Sequence, residues 1–337
     1  MKKYKIFFIS SIFLALFLFS AIMLFGDLLI KNLPLSYNDN TESMFLWIQR
    51  KKEINSKCNK GDAVVFLSGS NTLFGINSDY ISKEIEKPVL NFGLHGGLGD
   101  YIFDFAKTVL KPGNIVVAPV EFDVVVRHKS FSDFKTQYII SEDKEYYRKL
   151  GFKDKIGCIN FFYNDDLFYA LISGSKKESR YSAQRNINCR DNNCRVYSYK
   201  YWNKKGDVVF NIGIDDEKMN KLKDSEMGIA YPVRLSPVFL DFAKWCREND
   251  IRLYVTYPVI FPYKNRNSNE AQKYFTAYEN EFLKNGINFI GKAQDSFFEY
   301  DDFFDTVYHL NQKGVQKRSK YLAKLVKEEI LRKISSF

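Results

Sequence analysis

The chain is poor in the residues that build metal sites and disulfide frameworks. It contains 3 histidines and 5 cysteines among 337 residues. Cys189 and Cys194 lie close together in a polar segment, and no second close cysteine pair accompanies them. Because a structural zinc ion takes about four such ligands, the sequence predicts no metal site, and it gives no sign of a cofactor. A small disulfide loop between Cys189 and Cys194 is expected if the compartment is oxidising.

Long apolar runs are also scarce. Only the run from Ile6 to Phe25 is long enough to cross a hydrocarbon core of about 30 Å. Lysines before this run favour a cytoplasmic N-terminus, so the rest of the chain is predicted to be extracytoplasmic. A chain with one span lacks the membrane segments of a transporter. A cleaved signal peptide is the alternative, with Ser20–Met23 as a poor cleavage site.

The predicted organisation has four parts. Residues 1–5 form a cytoplasmic tail, 6–26 a transmembrane signal anchor, 27–59 a linker and leading helix, and 60–337 the main domain. Lys and Arg total 50 against 40 Asp and Glu, a formal charge of +10. This excess suits anionic partners such as lipid headgroups or acidic glycans. Nucleic acid is not an expected partner of an extracytoplasmic domain.

The main domain alternates apolar strand-like segments with amphipathic helical ones. Strands are predicted at 63–67, 89–92, 115–120, 251–257 and 287–290, and helices at 78–85, 100–110, 238–249, 278–285 and 313–333. This alternation predicts an α/β fold with a parallel sheet and helices on both faces, whose reactive groups gather at the carboxyl ends of the strands. The segment at about 128–235 departs from the pattern. It is interpreted either as an insertion over the site or as a solvated decoration.

Two loops follow predicted strands at the expected edge. Gly69-Ser70-Asn71 places Ser70 at a turn into a helix, where its hydroxyl would be a nucleophile if a histidine took its proton. Serine and asparagine also cap helices, which is the structural alternative. The loop Asn91–Gly99 contains Gly93, which would let a backbone N–H approach a reacting centre, and His95, a candidate substrate contact.

The C-terminal motif Asp305-Thr-Val-Tyr-His309-Leu-Asn311 supplies the remaining groups. His309 is the candidate base for Ser70, and Asp305 is the candidate carboxylate that holds its imidazole. Asp301 and Asp302 are alternatives for the carboxylate. Asn311 is predicted to be the N-cap of the last helix.

Together these motifs resemble the SGNH (GDSL-type) hydrolase superfamily over about residues 60 to 335. With the N-terminal anchor, the sequence looks most like the membrane-anchored branch that includes the D-alanyl transfer protein of lipoteichoic acid synthesis and the alginate and peptidoglycan O-acetylation proteins. The resemblance implies a three-layer α/β/α sandwich and a catalytic triad of Ser70, His309 and Asp305. It also implies an oxyanion hole made by the backbone N–H groups of Ser70 and Gly93.

One departure from the family pattern bears on activity. The superfamily usually places an oxyanion asparagine after the third strand, but the sequence here reads Ala118-Pro-Val-Glu121-Phe-Asp123. Glu121 and Asn71 are therefore kept only as candidate substrate contacts. Losing one oxyanion donor costs about 3 kcal/mol of transition-state stabilisation, which disfavours a fast esterase.

The expected function is a serine acyl-ester hydrolase or acyltransferase of the bacterial cytoplasmic membrane that acts outside the cytoplasm on a cell-envelope glycan. Its expected partners are an acylated or anionic glycan and a membrane-bound O-acyltransferase that exports acyl groups. The alternative is a non-catalytic assembly or glycan-binding protein with the same fold.

Overall fold

The computed structural model describes residues 4–14, 16–17, 20, 39–122, 133–151, 153–155, 157–158 and 192–335. The chain divides into two compact units, Met1–Glu42 with Ser130–Asn186, and Ser43–Lys129 with Ile187–Phe337. The second unit therefore includes 187–235, the later part of the predicted insertion. Among the described residues, no helix has both the length and the apolarity to cross a membrane. The predicted span, 6–26, reaches into residues 21–38, which lie outside the described ones.

The second unit is built on a sheet of five parallel strands in the order β2-β1-β3-β4-β5. The strands are β1 (Val64–Phe66), β2 (Val89–Asn91), β3 (Ile115–Pro119), β4 (Arg252–Thr256) and β5 (Asn288–Phe289). Val64 pairs with Val89 on one side and with Ile115 on the other. The sheet confirms the predicted α/β class and each of the predicted strands.

The helices are bounded as follows, in chain order: α1 (Asp39–Cys58), α2 (Ser70–Leu73), α3 (Ser78–Ile85), α4 (Tyr101–Ala106), α5 (Asp133–Glu142), α6 (Lys144–Lys149), α7 (Asn192–Tyr197), α8 (Asp216–Asn220), α9 (Pro237–Glu248), α10 (Asn269–Lys284), α11 (Gln312–Leu325) and α12 (Arg332–Ser335). A π-helical stretch, Val326–Leu331, joins the last two. Helices α5 and α6 belong to the first unit.

Helices cover both faces of the sheet because its strands are apolar on both sides. On one face Val64, Phe66 and Val117 form a buried cluster with Ile81 of α3 and Leu322 of α11. Their neighbours in the strands point to the opposite face and are equally buried. On that face α9 lies along β4 and packs against α4. The Phe103 ring of α4 is 4.6 Å from the Phe239 ring of α9.

Side-chain caps fix where several helices begin. Ser236 accepts a hydrogen bond from the Phe239 N–H at the start of α9, and Ser268 does the same for Ala271 at the start of α10. Asn311 accepts from the Gly314 N–H and starts α11, as the sequence predicted. These caps determine where the loops before the helices end.

The strand order places a topological switch point between β1 and β3. The chain leaves β1 toward β2 and then returns across β1 to β3, so the connections diverge at the carboxyl ends of β1 and β3. Ligands of open parallel sheets bind in the crevice at such a point. Ser70 follows β1 and Glu121 follows β3, so both sequence-predicted residues lie at this edge.

Candidate active site

Asp305 and His309 form a buried hydrogen-bonded pair. Asp305 Oδ1 is 2.8 Å from His309 Nδ1, and the two residues are 2% and 8% exposed. The loop between them closes on itself, since the Phe304 N–H donates to the His309 carbonyl at 2.8 Å. Because Asp305 holds Nδ1 of the ring, Nε2 is the nitrogen left to accept a proton from a nucleophile.

The other two carboxylates that the sequence left open have different partners. Both oxygens of Asp302 accept from Lys317 Nζ, at 2.7 and 2.8 Å. Asp301 pairs with Lys313 at the surface. Asp305 is therefore the carboxylate that orients His309.

Asp305 is held as a carboxylate by several donors. Burial opposes its ionisation, but the hydrogen bond and charge of His309, the hydrogen bond of Tyr197 and the charge of Lys218 lower the pKa of Asp305 below its ordinary value. Lys218 Nζ lies 3.4 Å from Asp305 Oδ2 and also pairs with Asp215 at 3.1 Å. An ionised Asp305 stabilises the imidazolium that forms when His309 takes a proton.

The His309 ring is stacked on Phe74, which lies one helical turn after Ser70. The two ring centroids are 3.9 Å apart with planes at 12°. Phe74 N–H donates to the Ser70 carbonyl at 2.9 Å, so Ser70 and Phe74 lie on the same side of α2. Within the described residues, the ring hydrogen bonds of His309 join Nδ1 to Asp305 and Tyr197, and none reaches the Ser70 hydroxyl.

The Glu121 carboxylate lies against the turn that carries Ser70. Its Oε1 accepts from the Asn71 N–H at 2.8 Å, and its Oε2 would be 2.8 Å from a Cβ placed on Gly96. A Cβ on Gly69 would meet the same carboxylate. A side chain at either position would therefore require the Glu121 carboxylate to move. The N–H that follows the candidate nucleophile is thus engaged by an anion of the protein itself.

Asn71 joins Glu121 to a buried arginine. Arg318 donates to the Asn71 carbonyl at 2.5 Å and to Asn71 Oδ1 at 2.7 Å, and it is 2% exposed. Burial lowers the pKa of Arg318 to about 9, against the charges of Glu121 and Tyr321. The Asn71 amide nitrogen is also engaged, by the Pro119 carbonyl and Glu121 Oε1 at 3.0 and 3.1 Å. The hydrogen bonds of Asn71 within the protein therefore hold the turn that carries Ser70 in place.

The predicted oxyanion donor Gly93 is packed against α2. A Cβ at Gly93 would lie 2.8 Å from the carbonyl carbon of Thr72, which explains the need for glycine. Its N–H donates to Asn91 Oδ1 at 2.8 Å. The structure thus brings Gly93 to the Ser70 turn but shows its N–H bound to a side chain of the protein.

His95 lies in the same loop as Gly93, close enough to His309 for the charge of that residue to act on it. Its Nδ1 accepts from the Gly97 N–H at 2.9 Å, and its ring centroid is 6.2 Å from that of Trp47. Burial, and secondarily the charge of His309, lower the pKa of His95 to about 4. His95 is therefore neutral at neutral pH, with its tautomer set by the Gly97 N–H.

A second buried polar cluster supports the Gly93 loop. Lys51 Nζ donates to the carbonyls of Asn91 and Gly206 at 2.6 and 2.9 Å, and Asn91 Nδ2 donates to Asp207 Oδ1 at 3.1 Å. Burial lowers the pKa of Lys51 to about 7, while the charge of Asp207 acts in the opposite direction. This cluster binds Asn91, whose side chain holds the Gly93 N–H.

Sequence reasoning missed Arg318, Lys51, Tyr197 and Asp207. Two of them carry a recognisable signal, since Arg318 lies at helical spacing between Val315 and Leu322 and interrupts an apolar stripe. Lys51 lies in the same way one turn after Trp47. A charged residue on an apolar stripe marks a buried charge that needs partners.

The described residues contain no group of three or more His, Cys, Asp or Glu side chains that could hold a metal ion. Cys58, Cys158 and Cys246 are free thiols. Cys189 lies outside the described residues, and so does the predicted disulfide with Cys194. Comparison of the chain with protein-family models, with curated proteins and with solved structures gave no match.

Proposed function

We propose that the chain is an SGNH-type serine acyl-ester hydrolase or acyltransferase, anchored in the bacterial cytoplasmic membrane and acting outside the cytoplasm on a cell-envelope glycan. The observation that carries the proposal is the Asp305–His309 pair, which is buried, hydrogen-bonded at 2.8 Å and stacked on the residue one turn after Ser70. A carboxylate that holds one imidazole nitrogen beside a serine is the arrangement that activates a serine hydroxyl.

In the proposed reaction Ser70 Oγ attacks the acyl carbonyl of an ester while His309 Nε2 takes the hydroxyl proton. His309 then returns the proton to the leaving alcohol, and an acyl group remains on Ser70. Attack by water would release the acid, whereas attack by a sugar hydroxyl would transfer the acyl group. Asp305 holds the imidazole throughout and stabilises its charged form.

The fold supports the proposal. An α/β unit with strand order 2-1-3-4-5 places the Ser70 turn and the loop after β3 at its topological switch point. Helices on both faces of this sheet fit the three-layer sandwich that the SGNH resemblance implies. No family match accompanies the fold, so the superfamily assignment rests on the motifs and the geometry of the pair.

The N-terminal residues support a membrane anchor. Residues 4–14 are helical, and their large apolar side chains are exposed, including Phe7 at 75% and Phe13 at 69%. A surface of exposed apolar side chains needs an apolar partner, and a lipid bilayer is the partner that the lysines and the apolar run 6–25 favour. An anchored transferase would receive acyl groups from a membrane-bound O-acyltransferase.

Two observations favour the alternative of a non-catalytic glycan-binding or assembly protein. The first is that, within the described residues, no hydrogen bond joins His309 to the Ser70 hydroxyl. The second concerns the backbone donors. Glu121 engages the Asn71 N–H, and Asn91 engages the Gly93 N–H, so two backbone donors beside Ser70 already have acceptors in the protein. A site retired from catalysis would have no need to keep these donors available. The intact Asp305–His309 pair opposes this alternative.

Turnover of 4-nitrophenyl acetate by the full-length protein in detergent tests the proposal. We expect a burst of nitrophenol with a covalent acetyl group on the protein, detected as a mass increase, and faster turnover when a methyl glucoside is added as an acceptor. Ser70→Ala and His309→Ala should abolish the burst, the acetylation and the effect of the acceptor. Ser56→Ala, on the exposed side of α1, should leave all three unchanged. Equal acetylation of wild type and Ser70→Ala would favour the binding protein.

A further inference from the structure

Tyr197, the last residue of α7, reaches the Asp305–His309 pair from a distant part of the chain. Its hydroxyl donates to Asp305 Oδ2 and lies 3.4 Å from His309 Nδ1. Asp305 thus has His309 on Oδ1, whereas its Oδ2 accepts from Tyr197 and also lies 3.4 Å from Lys218 Nζ. None of the sequence motifs of the site includes this tyrosine.

The ring of Tyr197 is fixed by its surroundings. Its centroid is 5.5 Å from that of Phe74 and 6.2 Å from that of His309, so both aromatic partners belong to the site. Its backbone is held as well, because Trp47 Nε1 donates to the Tyr197 carbonyl at 3.1 Å. A hydroxyl on a ring fixed in this way has a defined position relative to the carboxylate.

The phenol keeps its proton and acts as a donor. Burial, together with the charge of Asp305, raises the pKa of Tyr197 above its ordinary value. Asp305 is ionised and has no proton to give, so the Tyr197 hydroxyl donates to Oδ2. This bond restricts rotation of the carboxylate and leaves Oδ1 directed at the imidazole.

We propose that Tyr197 is a positioning residue of the active site, which orients the Asp305 carboxylate toward His309 and withdraws part of its negative charge. The role rests on the proposed function of the Asp305–His309 pair. Tyr197 acts through Asp305 and does not contact the substrate. Because it withdraws charge, it sets how strongly Asp305 stabilises the protonated imidazole and hence the pH at which His309 becomes an effective base.

Tyr197→Phe removes the hydroxyl and keeps the ring. In the full-length protein we expect the rate of Ser70 labelling by a fluorophosphonate to fall about tenfold, close to the effect of losing one hydrogen bond to a charged group. We also expect the midpoint of the rate against pH to move to higher pH, because an Asp305 with more charge stabilises the imidazolium. Tyr201→Phe is the matched control, since the Tyr201 ring packs on Phe210, 5.7 Å between centroids, away from the pair.

A second readout does not require a reactive serine. The imidazole signals of His309 can be titrated by NMR in the Ser70→Ala protein, which contains 3 histidines in all. Tyr197→Phe should raise the titration midpoint, and 3-fluorotyrosine at position 197, which keeps the shape and is a stronger donor, should lower it. The fluorinated protein also serves if Tyr197→Phe does not fold.

The two readouts separate the failure of this inference from failure of the proposed function. If wild type is not labelled but the His309 midpoint responds to both changes at Tyr197, the positioning role stands and the nucleophile is wrong. Unchanged midpoints in the fluorinated protein and in folded Tyr197→Phe would overturn the positioning role, whatever the labelling shows.

Discussion

The two halves of the candidate site differ in how they are prepared. The half that contains Asp305 and His309 is assembled, with the carboxylate on Nδ1 at 2.8 Å and the ring stacked on Phe74. In the half around Ser70, Glu121 engages the N–H after the serine at 2.8 Å, and the Gly93 N–H is held by Asn91. The imidazole of His309 is thus oriented by its partners, whereas two backbone N–H groups beside Ser70 already have acceptors within the protein. Glu121 thus engages a backbone donor in the half around Ser70, called the acceptor half from here on, whereas the half that contains Asp305 and His309 is called the base half.

The largest expected effect comes from replacing Asp305, the residue that orients His309 in the base half. Asp305→Asn should lower the fluorophosphonate labelling rate by about 10⁴-fold, because the amide favours the wrong tautomer of His309. Rates measured at neutral pH on full-length protein test this. Asp301→Asn is the matched control and should be neutral, since Asp301 pairs with Lys313 at the surface. A strong effect of Asp301→Asn with a weak effect of Asp305→Asn would exchange their roles.

Arg318 supports the acceptor half, and its loss should destabilise the fold. Arg318→Met leaves the Asn71 carbonyl without its donor and the nearby Glu121 charge without compensation. Removing one partner of a buried charge network costs about 3–5 kcal/mol of unfolding free energy. Urea unfolding measures this, with Lys320→Met on the exposed face of the same helix as control. Adding Glu121→Gln should recover part of the loss, and a cost equal to that of the control would contradict the network.

His95 lies in the Gly93 loop of the acceptor half, and its burial makes the stability of the fold sensitive to acid. Its pKa in the folded protein is about 4, below the ordinary value of 6.5, so the unfolded chain binds a proton between these pH values that the folded protein does not. The contribution of neutral, buried His95 to the free energy of unfolding is therefore fully present above pH 6.5. It is lost as the pH falls toward 4, by up to about 3 kcal/mol.

His95→Asn keeps an acceptor for the Gly97 N–H and has no proton to gain. The difference in unfolding free energy between wild type and His95→Asn should therefore change between pH 6.5 and 4 and stay constant between pH 7 and 8. Parallel stability curves for the two proteins across the acid range would refute the assignment.

The smallest expected effect comes from replacing Glu121, which engages a backbone donor in the acceptor half. Glu121→Gln removes the negative charge and keeps an oxygen that can accept from the Asn71 N–H. The labelling rate should rise about tenfold, less than the value of a complete oxyanion donor, because the side chain still fills the space. Gly96 is left unchanged in this variant, since a Cβ there would lie 2.8 Å from Glu121 Oε2 and would shift the same side chain. A labelling rate that falls in a stable Glu121→Gln protein would show that the carboxylate assists the reaction.

The sheet was predictable from the sequence because β1, β2 and β3 are short buried runs, mostly apolar, next to turns, and β4 and β5 repeat the helix-to-strand alternation. The predicted helix 78–85 matches α3 (Ser78–Ile85) in full. Helix α10 was predicted too short, from 278, because its first half is polar on one side and the signal at its start is the single cap Ser268. Helix α4 ends at Ala106, before the predicted 110, where Thr108 N–H bonds the Phe105 carbonyl in a tighter turn.

The site was predictable in part for a related reason. Asp305 and His309 are four positions apart, so a local loop suffices to pair them, and the sequence can show it. Tyr197, Glu121 and Arg318 reach the site from distant segments, and their roles depend on which strands and helices become neighbours. Spacing within one segment carries no information about such contacts, which is why the occupied acceptor half was not foreseen.

Identification of the residue that a fluorophosphonate modifies tests the central claim most directly. After brief labelling of the full-length protein at neutral pH, peptide mass spectrometry would locate the phosphonyl group. A single adduct on Ser70, absent in His309→Ala, is the predicted result and would show that the Asp305–His309 pair activates this serine. An adduct on another residue, or on Ser70 at the same rate without His309, would contradict the account.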